Sequence, residues 1–387
     1  MSKKVIQKRT AVYELEPDGY SIHTFELSMK LSGYQMTMIA NALYGKQEQE
    51  PPKKAWMYPS KDNMHVCTRY KKQGIGRITF IDNRRSFEKD FCYLYMVINP
   101  RLLIEPGTSY RGILPPTKES IKEVEKAFSK LFEKSPFESN INAYQLRRVD
   151  LCTNLHCGHK KIFRETVRVL RKLPTPPKYK RQGSELKDKK EARNMNKHYL
   201  HFGCDFKDLV IYDKSYQLVE NGLVMAREEL PDGVLRFEVQ YQREYIRRTE
   251  KSTGYDRTTD LLWYFMKNSE ALLCNNFARS FPDVTFCRMD EIETRVAESN
   301  FKKNTKAAML RLAQLLQRKQ SVDKALKELE KEGVSTNGLL DRFTELGISP
   351  IPLWQNFCAK QIPGPVELLR ECSAGEISIA YEKIKFK

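Results

Sequence analysis

Three short stretches that alternate apolar and polar residues constrain the fold of this chain most. They are residues 148–151, 208–214 and 234–239. Successive side chains of a β-strand point to opposite faces, so each stretch predicts a strand with one apolar and one polar face. If the three strands belong to one sheet, their polar faces form one surface. That surface carries a phenol, an ammonium group, two guanidinium groups and two carboxylates, from Tyr212, Lys214, Arg148, Arg236, Asp150 and Glu238.

The order of the other patterns predicts an α+β fold. Residues 64–104 alternate like strands, and apolar residues at helical spacing predict helices over 118–134 and 159–172. Together with the three strands, this order is typical of a mainly antiparallel sheet flanked by helices. Residues 1–60 predict short apolar pieces separated by turns, one of them at residues 16–19, which read Glu-Pro-Asp-Gly.

The last third of the chain predicts helices. A length of 387 residues favours two domains, and we place an α+β domain over residues 1–250 and a mostly helical domain over 251–387. Within the helical domain, Ser321 and Ser335 are the predicted N-caps of helices over 322–332 and 336–346. Gly333 and Gly347 are expected to end these two helices. Three further helices are predicted at residues 258–265, 268–280 and 305–318. The pair over 322–332 and 336–346 is typical of a helix-turn-helix but also of plain helical bundles.

Composition points to an anionic partner. The formal net charge is +18 and the pI is near 9.3, and nucleic acid is the commonest partner of such a protein. A hydrophobic fraction of 40% supports a real core. The nine cysteines are scattered, which suits a reducing compartment. No apolar run reaches the roughly 18 residues of a membrane span and no signal peptide precedes the fold, so we expect a soluble cytoplasmic protein with no membrane partner.

Residues 178–197 form a basic stretch whose function has two interpretations. Eight Lys or Arg residues outweigh three Asp or Glu residues there. The stretch is either a solvated linker or a mobile arm on a phosphate backbone. On the second reading its DNA contacts come from Lys178, Lys180, Arg181, Lys189 and Lys190.

The polar surface suits attack on a phosphodiester. A phenolate such as that of Tyr212 is a nucleophile that conserves the bond energy in a covalent phosphotyrosine, and Lys214 would stabilise the phenolate. Asp150 and Glu238 would supply oxygen ligands, which favour Mg²⁺ or Mn²⁺. The alternative is structural: most of the 19 tyrosines pack in a core, and Arg236 with Glu238 would form an ordinary same-face pair.

The ordered set of these three stretches resembles the replication initiators of filamentous phages. It is also similar to the rolling-circle initiators of plasmids and to some conjugative relaxases. The resemblance covers residues 90–250 and extends loosely to the helical tail. It implies a nicking and joining endonuclease in which Tyr212 attacks one strand of a double-stranded origin. The enzyme then carries the 5′ phosphate, leaves a 3′ hydroxyl as primer, and later rejoins the displaced strand.

The resemblance also implies assignments for the neighbouring groups. Asp150 and Glu238 match the acidic positions, and we expect them to hold the metal. Arg148 and Arg236 are expected to contact DNA, and a host helicase and polymerase are the expected partners. A conjugative relaxase and a non-catalytic origin-binding protein remain alternatives.

The chain departs from the wider superfamily at its histidines. Many rolling-circle nucleases bind their metal through two histidines separated by one apolar residue, and this chain has no such triplet. His156 with His159, and His198 with His201, are spaced too widely and favour structural roles, although His201 could add one ligand. Tyr216 is the second candidate nucleophile, provided that its strand continues far enough.

Overall fold

One large antiparallel sheet organises the chain. A computed structural model describes residues 4–44, 57–60, 64–82, 91–108, 112–182, 198–220, 233–319 and 321–386. In this part of the chain eleven strands form one sheet in the order β2-β3-β4-β5-β1-β6-β10-β9-β8-β7, with β13 also paired to β1. The strands are β1 (Lys4–Ser32), β2 (Met57–Ser60), β3 (Met64–Cys67), β4 (Ile75–Asp82), β5 (Phe91–Ile98), β6 (Gln145–Cys157), β7 (Lys180–Arg181), β8 (Tyr199–Gly203), β9 (Lys207–Asp213), β10 (Val234–Tyr241) and β13 (Glu376–Phe386). A separate two-stranded sheet pairs β11 (Phe286–Cys287) with β12 (Gln361–Ile362).

Helices cover this sheet and build the carboxyl-terminal region, which confirms the predicted α+β class. They are α1 (Gly33–Tyr44), α2 (Pro100–Ile104), α3 (Lys118–Phe132), α4 (Lys160–Leu170), α5 (Lys214–Glu220), α6 (Arg243–Thr253), α7 (Thr258–Lys267), α8 (Ser269–Ser280), α9 (Met289–Glu298), α10 (Lys303–Arg318), α11 (Val322–Lys331), α12 (Leu339–Glu345) and α13 (Pro365–Ala374). No helix in the described ranges combines the length and apolarity that crossing a membrane requires.

The central strand β1 corrects the expectation of short pieces separated by turns. Its first part pairs with β13, and its second part pairs with β6 on one side and β5 on the other. The predicted turn at residues 16–19 is instead a register shift between Leu15 and Tyr20 within the strand. Gly19, at φ 64°, takes the left-handed conformation there without ending the strand, because the buried alternation resumes directly at Tyr20 and Ile22.

The apolar face of the sheet packs on α7 and α8. The ring of Phe237 on β10 meets Phe277 of α8 edge-on, with centroids 5.3 Å apart, and Tyr241 lies 5.5 Å from Phe265 of α7. All four side chains are buried, so this layer removes much apolar area from water. Because side chains alternate along a strand, the neighbours of Phe237 on β10 point to the other face.

The carboxyl-terminal helices follow the predicted order with one error. The Ser321 side chain caps α11 by accepting from the Lys324 N–H at 3.3 Å, as predicted. The next helix, α12, begins after Gly338 in the left-handed conformation, so Ser335 is not its N-cap. The chain then returns to the main sheet, since β13 pairs with β1 from Lys4 to Glu14. The predicted division near residue 250 stays a prediction.

Candidate active site

The three polar stretches lie side by side in the sheet, as the sequence predicts. Tyr212 on β9 is directly opposite Arg236 on β10, and Glu238 on β10 is directly opposite Cys152 on β6. Residues opposite each other share a face, so the polar side chains of β6, β10 and β9 form one surface. Asp150, two residues before Cys152 on β6, shares this face.

Tyr212 and Glu238 are joined by a short hydrogen bond. The Tyr212 hydroxyl donates to Glu238 Oε1 at 2.6 Å. Tyr212 is only 3% exposed, yet its hydroxyl lies among charged groups and not among aliphatic side chains. Burial, and next the Glu238 carboxylate, raise the pKa of Tyr212 well above its ordinary value. The phenol is therefore protonated in this state, with an acceptor already in place.

His23 is a member of the site that the sequence did not reveal. The β1–β6 register passes from Ile22 opposite Leu151 to Thr24 opposite Asp150, so His23 is an inserted residue. His23 Nδ1 lies 2.9 Å from Glu238 Oε1, the oxygen that also accepts from Tyr212. His23 keeps the face of Ser21, which is opposite Cys152, and the insertion brings Thr24 to the same face, opposite Asp150.

The charges around Glu238 keep it ionised. Burial and Arg236 lower the pKa of His23 to about 4, so its ring is neutral at pH 7 and donates from Nδ1. Burial alone would raise the pKa of Glu238, but His23, Arg236 and the Tyr212 hydroxyl hold it well below its usual range. At neutral pH the carboxylate therefore accepts from the phenol and the imidazole at once.

Arg236 is placed to hold this cluster. It is fully buried, its Nε donates to Asn154 Oδ1 at 2.6 Å, and its Nη1 lies 3.9 Å from Glu238 Oε1. A guanidinium without exposed surface orients the carboxylate beside it. Its expected contact with DNA stays a prediction.

Asp150 forms a second acidic position on the same surface. It accepts from the Thr24 hydroxyl, and its Oδ1 lies 3.0 Å from Arg148 Nε. Oδ1 is buried and accepts no hydrogen bond. Burial raises the pKa of Asp150 to about 6, with Glu238 adding to the rise and Arg148 opposing it. A carboxylate whose proton affinity is raised by a neighbouring carboxylate is a place that a cation would stabilise.

A divalent ion fits this donor set only if other ligands complete its shell. Among the described residues no group of three or more His, Cys, Asp or Glu side chains could hold a metal ion. Mg²⁺, however, is commonly bound by one or two carboxylates, with water and substrate phosphates as its other ligands. Asp150 Oδ1 is already 3.0 Å from Arg148 Nε, so an ion would have to share that oxygen with the guanidinium. Glu238 Oε2 has a long contact of 3.4 Å with Gln240.

Lys214 lies near Tyr212 but does not touch its hydroxyl. Strand β9 ends at Asp213 and α5 begins at Lys214, so the strand ends one residue earlier than predicted. The Lys214 ammonium donates to Gln217 Oε1 at 2.7 Å and is 5.8 Å from the centroid of the Tyr212 ring. Burial, and next Arg236, lower the pKa of Lys214 well below its usual value. Its role as a stabiliser of the phenolate stays a prediction.

The condition that would place Tyr216 on the strand face of Tyr212 is not met, because β9 ends at Asp213. Tyr216 lies on α5, and its ring stacks on His198 with centroids 3.3 Å apart. On β8, Tyr199 stacks on Tyr212 at 5.2 Å. The ring beside the candidate nucleophile is therefore Tyr199, a partner that becomes visible only from the β8–β9 register.

The remaining histidines contact side chains and backbone. His201 Nε2 lies 2.9 Å from Asp208 Oδ2, and His198 Nδ1 lies 3.7 Å from Asp213. His156 lies 3.4 Å from Glu14, and His159 caps α4. These contacts suit the structural roles that their spacing predicts.

The basic stretch begins inside the sheet. Lys180 and Arg181 form the edge strand β7, which corrects the prediction of a loop at these residues. Arg181 donates to the carbonyls of Arg171 and Leu173, whereas Lys178 and Lys180 are exposed. Lys189 and Lys190 lie outside the described residues.

Comparisons with known proteins give a structural neighbour but no sequence relative. No protein-family model matches the chain, and no curated protein matches it. A solved structure with some likeness is titled "Structure of Rolling Circle Replication Initiator Protein from Geobacillus stearothermophilus". The two chains are 10% identical, the match covers 69% of this chain and 85% of that one, and the TM-score is 0.29. A TM-score this low does not establish a common fold, so any proposal has to stand on the site itself.

Proposed function

We propose that this protein is a rolling-circle DNA replication initiator that nicks and rejoins one strand of an origin. The observation that carries the proposal is the 2.6 Å hydrogen bond from the Tyr212 hydroxyl to Glu238. It gives a candidate nucleophile an adjacent proton acceptor. The cationic surroundings from Arg148, Arg236 and Lys214, in a chain of net charge +18, suit a phosphodiester substrate.

Each site residue has a defined part in the proposed reaction. Tyr212 Oη attacks phosphorus, the new O–P bond forms, and the bond from phosphorus to the 3′ oxygen breaks. The phenolic proton passes to Glu238 Oε1, and the leaving 3′ oxygen takes a proton from water. The raised pKa of the phenol and the lowered pKa of Glu238 both oppose transfer in the free protein. The transfer becomes favourable as the O–P bond forms and lowers the proton affinity of the oxygen.

The reverse sequence rejoins DNA. A 3′ hydroxyl attacks the phosphotyrosine, the O–P bond to Tyr212 breaks, and the phenol recovers its proton. Arg236 and His23 hold Glu238 in place in both directions through the contacts described above. The phosphodiester bond energy is kept in the covalent intermediate, so rejoining needs no other energy source.

We propose Mg²⁺ or Mn²⁺ as the cofactor, held by Asp150 and by Glu238 Oε2. When bound, such an ion neutralises charge on the phosphoryl oxygens. The chain's own contribution is two carboxylates on neighbouring strands of one face, of which Asp150 is paired with Arg148. Chelation with EDTA is expected to abolish nicking, and Mg²⁺ or Mn²⁺ is expected to restore it.

The covalent adduct is the decisive measurement. Supercoiled plasmids carrying DNA that flanks the gene are incubated with protein and Mg²⁺ or Mn²⁺, and the nicked product is digested and analysed by mass spectrometry. We expect DNA on Tyr212 through a 5′ phosphate. Tyr212→Phe removes one oxygen and is expected to lower nicking by at least about 10³-fold, the scale on which a nucleophile matters.

Tyr216→Phe is the matched control, because it removes the same atom from a ring on α5 that stacks on His198. It is expected to nick at the wild-type rate. Full activity in Tyr212→Phe, or an adduct on a 3′ phosphate, would end the proposal.

A non-catalytic origin-binding protein is the second candidate. The burial and raised pKa of Tyr212 favour it, since a packed sheet residue has these properties too. That reading predicts tight origin binding with no adduct at any metal concentration. A conjugative relaxase would give the same adduct at a transfer origin, and only the DNA sequence that is cut separates it from a replication initiator.

The proposed partners follow from the reaction. They are the double-stranded origin, the displaced single strand, and a host helicase and polymerase that use the 3′ end in the cytoplasm. The exposed Lys178 and Lys180 are proposed DNA contacts.

A further inference from the structure

Two tyrosines lie side by side on one face of strand β5. Cys92, Leu94 and Met96 of this strand are buried in the core, so alternation points Tyr93 and Tyr95 to the opposite face. Both tyrosines are half-buried, and their ring centroids are 6.1 Å apart. The sheet therefore presents a pair of aromatic rings on the side away from α7 and α8.

The two tyrosines share this face with the candidate active site. Tyr95 is directly opposite Ser28 of β1, and Glu26, two residues earlier on β1, is directly opposite Arg148 of β6. Residues opposite each other share a face, and Arg148 Nε lies 3.0 Å from Asp150 Oδ1. The face that carries the acidic cluster therefore continues across β1 to the tyrosines.

A bulge in β6 brings a guanidinium group onto these rings. The β1–β6 register shifts between Glu26 and Leu27, and Arg147 is the inserted residue. The Arg147 guanidinium lies over the Tyr95 ring, 4.7 Å from its centroid, and its Nε is 3.2 Å from Glu26 Oε1. Its side chain is 46% exposed, so it contacts the ring and also reaches solvent. We name Tyr93, Tyr95 and Arg147 the tyrosine platform.

The tyrosine platform lies in a basic part of the sheet. Lys30 of β1 is directly opposite Tyr93, and Arg77 of β4 lies on the same face, opposite Val97. Both cationic side chains are exposed, and with the guanidinium of the platform they outnumber the carboxylate of Glu26. Aromatic rings among exposed cations suit a polyanion that also carries π-faces, which is a nucleic acid strand.

The spacing of the rings favours a single strand over a duplex. Neighbouring nucleotides of one strand in a duplex are about 3.4 Å apart along the helix axis, whereas the two ring centroids are 6.1 Å apart. Bases that stack on both rings must therefore separate from each other, which an unpaired strand does readily and a duplex resists. Aromatic side chains beside a basic surface are a common way of holding single-stranded nucleic acid.

We propose that the tyrosine platform stacks bases of the displaced single strand, with Arg147 extending the stack. The inference rests on the proposed function for the identity of that strand, and it adds Tyr93, Tyr95 and Arg147 to the DNA-binding residues. Strand β5 is four strands away from β9 in the sheet, which is roughly 19 Å at about 4.8 Å per strand. The platform therefore binds the strand at a distance from Tyr212 and takes no part in the bond-breaking step.

The test compares two strands that differ only in their bases. One is a fluorescently labelled thymidine strand of roughly 20 nucleotides, longer than the site of one binding fold, and the other carries abasic sugars with the same phosphates. Anisotropy titrations between 50 and 200 mM KCl measure both affinities. For Tyr93→Leu with Tyr95→Leu, the affinity for the thymidine strand is expected to fall at least about tenfold. The affinity for the abasic strand and the salt slope are expected to stay unchanged, because leucine removes rings and no phosphate-binding cation.

Three further variants separate stacking from charge and from fold. Tyr93→Phe with Tyr95→Phe keeps both rings and is expected to keep the affinity. Arg147→Lys keeps the charge but loses the planar group, and is expected to weaken binding of the thymidine strand alone. Tyr255→Leu is the matched control, because it removes a ring that is 41% exposed and packs edge-on against Tyr264 of α7. It is expected to bind both strands as the wild type does, and thermal unfolding checks that each variant is folded.

The outcomes distinguish this inference from the proposed function. Equal losses of affinity for the thymidine and abasic strands in the double leucine variant would show that the rings do not stack on bases, and would overturn the inference. Unchanged affinity for both strands would also overturn it, and a change in self-association on sedimentation would then assign this face to a second copy of the chain. Absence of nicking in the wild type, with base-dependent binding intact, would overturn only the catalytic proposal.

Discussion

His23 shows how a single inserted residue completes the acidic cluster. Its Nδ1 and the Tyr212 hydroxyl meet at the same oxygen of Glu238, at 2.9 and 2.6 Å. A carboxylate that accepts from two sides has little freedom to rotate, so His23 is a positioning residue for the proposed proton acceptor. Hydrogen bonds to charged groups contribute about 1.5–3 kcal/mol.

We expect His23→Ala to lower the single-turnover nicking rate by about 10- to 100-fold, the kinetic equivalent of that energy. His23→Asn places an amide N–H near the position of Nδ1 and is expected to recover most of the rate. DNA affinity, measured by anisotropy, is expected to change little in either variant. Equal losses in both variants, or a loss carried by affinity alone, would contradict the positioning role.

The same residues mark what the sequence could and could not predict at this scale. Strict alternation was enough to group Tyr212, Arg236 and Glu238, because β9 and β10 pair without irregularity. It could not find His23, since the bulge opposite Asp150 and Leu151 depends on pairing with β6.

At the scale of elements, α4 and α10 are joined by a buried ammonium group. Lys172, just after α4, donates to the carbonyl of Leu316 in α10. Burial, helped by Arg168 and Arg171 and opposed by Glu165, lowers the pKa of Lys172 to about 8. The unfolded chain, with its usual pKa near 10.5, binds more protons between pH 8 and 10.5. Stability from this group therefore rises with pH across that window.

We expect the free energy of unfolding of the wild type, relative to Lys172→Met, to increase from pH 8 to pH 10. Methionine carries no titrating group and keeps the apolar stem, so it gives the reference curve. Urea titrations of both proteins at each pH measure the difference. Lys324→Met, at an exposed position on α11, is the control. A difference that stays constant with pH would show that Lys172 has the same pKa in both states.

Helices that are marked by periodic apolar residues and capping residues were predicted correctly, whereas the strand whose length depends on distant partner strands was not. Helices α3 and α4 follow from apolar residues at helical spacing and from their capping residues Thr117 and His159. The length of β1 was missed because Pro17 and Gly19 are ordinary turn residues, and only the pairing with β6 on both sides of them, at Leu15 and Tyr20, shows that the strand continues.

At the scale of the whole molecule, the two ends of the chain stabilise each other. Strand β13 pairs with β1 from Lys4 to Glu14, and the Tyr20 hydroxyl contacts Ser373 at the end of α13. Buried residues of β1 and of the carboxyl-terminal helices belong to one continuous core. No pattern in the sequence indicates such pairing, because it joins segments more than 360 residues apart.

Because β13 pairs with β1, recognition of the origin sequence has to be tested with point variants and not with a carboxyl-terminal truncation. Deleting residues 376–387 is expected to expose the edge of β1 and to remove cooperative thermal unfolding, so the loss of origin binding in such a truncation would say nothing about recognition. Asn337→Ala with Arg342→Ala instead changes exposed positions at and before α12 and leaves the core intact. If the α11–α12 pair reads the origin, this variant keeps the wild-type melting temperature. It binds a specific site more weakly, by about 1–3 kcal/mol for each lost base contact, and binds random duplex with the wild-type affinity.

Lys327→Ala, on an exposed turn of α11, is the control, because the loss of a phosphate contact there weakens binding to both duplexes alike. Unchanged discrimination in Asn337→Ala with Arg342→Ala would leave α11 and α12 as part of the helical core and place recognition elsewhere.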